Sequence, residues 1–214
     1  MHPLARPLAL VLLAGMLLLG AGAVLHPLLG GTAADQLALI ARTGYWRPLH
    51  LAMLAGTGLV VCGVWCRALL DRTGAPLLIA LGLVSLGLAI NALDVAYMAG
   101  AGWHLAEMYR SGHAEMAPLY EATHAIGRVA ARFGNFLVAL GAALLGWWER
   151  HDEASPRWAA PLAWLAALGG LVGVLFFEER SIVILAAVAL LSGWELATVI
   201  RAFRSPSAPA TRPV

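Results

Sequence analysis

Six long apolar runs, separated by two substantial loops, 30–46 and 100–117, and by short polar turns, decide what this chain can become. They are Leu8 to Leu29, Pro48 to Cys66, Pro76 to Ala99, Pro118 to Trp148, Trp158 to Phe177 and Ile182 to Ile200. An α-helix rises about 1.5 Å per residue, so roughly 20 apolar residues cross a hydrocarbon core of about 30 Å. A soluble fold does not need runs of this length. The charge content agrees: 12% of the 214 residues are Asp, Glu, Lys or Arg, 61% are hydrophobic, and the mean hydropathy is +0.79. Soluble domains carry about 25% charged residues. The sequence therefore predicts an all-α fold: a polytopic membrane helical bundle of six spans in one domain, residues 1–204, followed by a disordered Ser/Pro/Ala-rich tail, 205–214.

The first run has a rival reading as a secretory signal. Arg6 would then form the basic start, Leu8 to Leu19 the apolar stretch, and Ala21-Gly22-Ala23 the cleavage site. A retained span is preferred, because the apolar run continues past Ala23 to Leu29.

Six spans put both termini on one side of the membrane. That side carries Arg6, Arg67, Arg72, Arg150, Arg157, Arg201, Arg204 and Arg212; the other carries Arg42, Arg47, Arg110 and Arg180. The excess of arginine places both termini in the cytoplasm, and in a bacterium the membrane would be the plasma (inner) membrane. A net charge of +2 gives no argument for nucleic acid as a partner. The bilayer is the partner that the composition requires, with a homo-oligomer or a larger membrane complex left open.

The polar chemistry concentrates in the fourth run. In Glu121-Ala-Thr-His124-Ala-Ile-Gly-Arg128-Val-Ala-Ala-Arg132-Phe-Gly-Asn135 the polar residues share one helical stripe about 80° wide. Such a stripe in a lipid setting is expected to face the inside of the bundle. On the assigned topology, His26, His50, His104, His113 and His124 lie towards the outer face. Asp94 lies about 27 Å along the third span and joins them there. Hairpins 1–2 and 3–4 would then bring His26, His50, Asp94, Glu121 and His124 together.

Imidazoles with carboxylates suit zinc, iron or copper. Glu121-x-x-His124 has the Glu/His spacing of di-iron helical bundles, although those use two such pairs and only one lies on a span here. His50 and His124, at similar depth on different helices, suit non-covalent haem b, since no Cys-x-x-Cys-His occurs. Arg128 and Arg132 would then bind an anionic group of a cofactor, such as a haem propionate, or a lipid phosphate. The competing reading is structural: the arginines neutralise Glu121 and Asp94, because a charge within a membrane needs pairing whatever the function. A small transporter and a non-catalytic accessory subunit remain alternatives to redox or metal chemistry.

Other signals are weaker. Cys62 and Cys66, four apart on one helix, read as packing residues and not as a disulfide. The Gly-rich stretches 82–87 and 169–173 read as close helix contacts and not as phosphate loops. Asn91 and Asn135 each offer a bond to a neighbouring helix. Glu195, inside the sixth span, reads as a partner for an arginine such as Arg201. No nucleotide fingerprint, no His-Glu-x-x-His and no ordered Ser-His-Asp set is present.

Val24-Leu25-His26-Pro27 at the end of the first span and Trp46-Arg47-Pro48-Leu49-His50-Leu51 at the start of the second resemble uncharacterised six-helix membrane proteins common in high-GC bacteria. The resemblance covers the first two spans and implies the bundle fold without implying an activity.

Overall fold

The computed structural model describes residues 2–70, 73–153, 155–176 and 182–204. Eight α-helices run through them, and no strand occurs among the described residues: α1 (Ala5–Leu25), α2 (Ala33–Arg42), α3 (Trp46–Gly63), α4 (Ala75–Tyr97), α5 (Trp103–Arg110), α6 (Met116–His151), α7 (Ala159–Phe176) and α8 (Ile182–Arg204). A 3-10 turn, Val64–Leu69, extends α3, and a π-helical turn, Met98–Gly102, joins α4 to α5. Six of these helical stretches are long and apolar enough to cross a membrane. The chain is thus an integral membrane protein with the predicted six-helix architecture. The expected 178–180 turn and 205–214 tail lie outside the described residues.

The spanning helices pack in the order α1, α3, α4, α6, α7, α8, and α8 returns to α1. Small residues set how close they come. A Cβ on Gly63 would lie 2.5 Å from the Leu12 Cα, and one on Gly134 would lie 2.5 Å from the Gly87 carbonyl oxygen. Backbones meet there, so any side chain would push the helices apart. Beside this contact the Asn91 amide donates to the Asn135 carbonyl oxygen at 2.8 Å, so the two asparagines bond each other. Cys66 is buried and Cys62 exposed, with no disulfide between them.

One core joins all six spans towards the end that carries the chain termini, with Leu12, Val64, Leu81, Leu145, Ala163 and Trp194 among its members. The other end carries a cap made of α2, α5 and the first turns of α6. With 36 residues, α6 is about 54 Å long, well beyond the hydrocarbon thickness. The stretch 100–117, expected as a loop, is largely helical, because α4 continues through the π-turn into α5. In α2, the Thr32 hydroxyl accepts from the Asp35 N–H, and the Asp35 carboxylate accepts from the Thr32 N–H at 2.8 Å. That reciprocal cap fixes where the helix starts. The Thr32 hydroxyl also donates to the Asp35 carboxylate at 2.7 Å, and this bond, with the one from the Thr32 N–H, holds the Asp35 carboxyl below its usual range.

The polar stripe of α6 lies differently from expectation. The buried face of the helix is the seam Tyr120, His124, Gly127, Ala131, Gly134, Gly141 and Leu145. At about 100° per residue this seam is centred roughly 100° away from the line through Glu121, Arg128 and Arg132. Glu121, Arg128 and Arg132 are accordingly exposed on the flank of the helix, and His124 and Asn135 turn towards α4. The small residues, not the charged ones, select the packed face, since only they allow α4 to approach.

Candidate functional site

The cap end is built around a second apolar cluster: Leu29, Leu37, Ile40, Trp46, Met98, Leu105, Ala106 and Tyr120. Trp46 is fully buried, and its indole N–H donates to the Met98 carbonyl at 3.2 Å. The π-turn supplies that acceptor. Two pairs of polar side chains lie beneath the cap.

His26 ends α1 just before Pro27, and His50 lies one turn into α3. Their Nε2 atoms are 3.2 Å apart, and His50 is 2% exposed. The Trp46 ring lies 4.4 Å from the His50 ring and 5.1 Å from the His26 ring, centroid to centroid. The His50 Nδ1 sits 2.9 Å from the Trp46 carbonyl oxygen, which can only accept. Nδ1 therefore carries a proton, and a neutral His50 presents a lone pair at Nε2 towards His26. This tautomer follows from the hydrogen-bond network. A metal-binding histidine is usually oriented this way, with its other ring nitrogen donating to a backbone carbonyl.

The second pair joins α4 to α6. His124 Nε2 lies 3.6 Å from an Asp94 carboxylate oxygen, an ion-pair distance too long for a direct hydrogen bond. Gly127 makes room for that carboxylate, since a Cβ there would strike the Asp94 oxygen. The His124 ring is stacked on Tyr97, with 5° between the planes and centroids 5.8 Å apart. Tyr120 lies 4.9 Å away. The Tyr97 hydroxyl is 2.7 Å from the Thr123 hydroxyl, and the Tyr120 hydroxyl donates to Gln36 of the cap at 3.2 Å.

The structure thus brings His26 to His50 and Asp94 to His124, and leaves Glu121, Arg128 and Arg132 on the exposed flank of α6. Among the described residues, no three His, Cys, Asp or Glu side chains gather closely enough to share one ion. The single convergence of all five candidates is replaced by two pairs.

The densest polar network lies at the opposite end. Arg67, 1% exposed, donates from Nε to Glu149 at 2.9 Å and from Nη2 to Asp152 at 2.7 Å. Arg201 also donates to Asp152, at 3.1 Å, and the Trp194 indole donates to Glu149 at 3.1 Å. The Ser155 hydroxyl bonds to both carboxylates. This clasp ties the end of α3 to α6, to the following loop and to α8. The sequence carried half of the signal: Arg67, Glu149, Asp152 and Arg201 all fall on the termini side. What it lacked was the depth at which Arg67 and Glu149 sit. Burial raises the Asp152 carboxyl, but the bonds from Ser155, Arg67 and Arg201 outweigh it and hold the group at about 2.

Comparison of the chain with known protein families, with curated proteins and with solved structures gives no match.

Proposed function

We propose that this integral membrane protein holds a transition-metal ion at its cap end, between His26 and His50. The observation that carries the reading is the approach of the two Nε2 atoms to 3.2 Å, with His50 oriented by the Trp46 carbonyl. Two imidazoles on one tetrahedral ion, with metal–nitrogen bonds of about 2.0–2.1 Å, hold their nitrogens about 3.3 Å apart. The pair already has that bite, so an ion would replace the proton now shared between the rings. A bare ion suits the site better than haem b. A porphyrin between the rings would need their nitrogens about 4 Å apart, and Trp46 already packs against both. Imidazole ligands suit zinc, copper and iron alike, and the general affinity order favours copper and zinc over iron.

Two protein ligands leave two positions for water or for a further ligand. An ion with open positions suits Lewis-acid chemistry or metal transfer more than a purely structural role. On the arginine bias, the termini face the cytoplasm and the site lies towards the other side of a bacterial inner membrane.

The test is a titration of the detergent-purified chain, freed of chelator, with Zn2+ and with Cu2+. One ion per chain should bind, and His26→Ala and His50→Ala should each weaken it at least about tenfold, whereas His113→Ala in the exposed loop should not. Equal binding by wild type and both variants would remove the site.

A further inference from the structure

At the termini end a cleft of about 360 Å³ opens between the last turn of α6, the loop after it and the start of α7. Its volume falls in the range of small-molecule sites, roughly 300–1,000 Å³. Five charged side chains line it: Glu149, Arg150, Asp152, Glu153 and Arg157. They are not equivalent. Glu149 and Asp152 are matched from behind by Arg67 and Arg201. The charges left to act on the cleft are Arg150 and Arg157 against Glu153, a balance of one positive charge. Among the described residues neither Arg150 nor Arg157 makes an ion pair. Helix α7 begins at this cleft with Ala160 and Pro161 on its wall, and the positive end of its dipole adds to the same field.

The remaining wall is Trp164, a residue 42% exposed. Trp147 and Trp158 are also exposed at this end. Tryptophans gather at the level of lipid headgroups. The cleft therefore lies where a headgroup can enter it from the side and a soluble anion can enter from the water. A flat aromatic wall beside two guanidinium groups suits an anion that carries an organic portion, more than a bare inorganic ion. Guanidinium groups match phosphate oxygens in pairs.

We infer that this cleft binds a phosphate ester, with Arg150 and Arg157 on the phosphate and Trp164 against the organic part. Basic pockets beside spanning helices are a recognised setting for anionic headgroups. The acidic clasp behind the cleft is self-neutralised, so it orders the wall without repelling the ligand. The site lies at the far end of the molecule from His26 and His50 and does not depend on them.

The experiment uses the full chain in mixed micelles, with native mass spectrometry counting bound lipid. Wild type should retain phosphatidylglycerol in preference to phosphatidylcholine. Each arginine near a membrane surface contributes about fivefold in affinity, so Arg150→Gln/Arg157→Gln should bind about 25-fold more weakly. Arg204→Gln, exposed at the same end but outside the cleft, is the control and should bind as wild type does. Glycerol 3-phosphate separates the two sources of the ester. Displacement of the lipid by millimolar glycerol 3-phosphate assigns the cleft to a soluble ester, and retention of the lipid assigns it to the headgroup. Equal losses in the control and the double variant would overturn the inference, as would absence of any preference for phosphatidylglycerol combined with no binding of glycerol 3-phosphate. The thermal midpoint of each variant is read alongside, and Arg150→Lys/Arg157→Lys, which keeps the charge, should recover part of the binding.

Discussion

The clasp at the termini end allows a sharp test, because its central pair is almost wholly out of water. The Arg67 and Glu149 side chains are 1% and 2% exposed, and their two hydrogen bonds are 2.9 and 3.3 Å long. Breaking such a pair from one side leaves a buried charge without its counterion, at a cost of roughly 3–5 kcal/mol. Arg67→Met leaves Glu149 with Ser155 and Trp194, and Glu149→Leu leaves Arg67 with Asp152. Arg67→Met, which leaves Glu149 without a cation, should fall in that range; Glu149→Leu leaves Arg67 its second counterion, Asp152 at 2.7 Å, and should cost less. Thermal midpoints for chains of this size move by about 2–4 °C per kcal/mol, so Arg67→Met should melt roughly 6–20 °C below wild type. The double variant Arg67→Met/Glu149→Leu removes both charges together. Asp152 then keeps Arg201 and Ser155, and the main loss is the acceptor of the Trp194 indole, about 1–3 kcal/mol. The double variant should therefore be more stable than Arg67→Met. The assay is heat unfolding in one detergent at a fixed scan rate, with the four proteins compared as a cycle. A double variant as destabilised as the sum of the two singles would show that Arg67 and Glu149 act independently, and the reasoning would fail.

Two more outcomes follow from the same geometry. Asp152 is held at about 2 against an ordinary value of 3.8, so it takes up a proton more readily unfolded than folded. Its contribution is complete above the unfolded value and is lost as pH falls towards 2. The thermal midpoint should decline between about pH 5 and about pH 2, and Asp152→Asn should flatten that decline while lowering stability at pH 7. Gly134→Ala drives a methyl into the Gly87 carbonyl and the Asn91 N–H, which are backbone atoms and cannot swing away. It should cost about 1–3 kcal/mol in heat unfolding. Gly127→Ala meets only the end of the Asp94 side chain and should cost less; equal losses would contradict the assignment of the α4–α6 contact.

The spans were legible because a hydrocarbon core demands about 20 apolar residues in a row, a signal no short element imitates. The cap was not. Helix α5 has eight residues and follows α4 with only a π-turn between them, so neither a proline nor a cluster of turn residues announced its start. The stripe on α6 shows a different limit. Its periodicity is real, but periodicity identifies residues that share a face without saying which face is buried. Gly127, Ala131 and Gly134 made that choice, through contacts with Gly87, Asn91 and Asp94 on a helix some forty residues away. The pairing of His26 with His50 depended on two helix ends meeting under Trp46, and depth along the helices was the only clue to it. For the clasp, topology gave the side of the membrane, and the ion pairs had to be seen.

The burial of Trp46 has a kinetic consequence. This indole is anchored to Met98 and lies against both imidazoles, and His50 behind it is almost inaccessible. Anything that reaches His50 must wait for the cap to part, which breaks the indole's bond to the π-turn. Entry is then a two-step event in which opening precedes capture. For the proposed ion, the observed rate of uptake should stop increasing as its concentration rises and level off at the rate of opening, a constant of the protein that is the same for every ion. Trp46→Phe keeps an aromatic wall and loses the bond to Met98, so it should raise that plateau for all of them together.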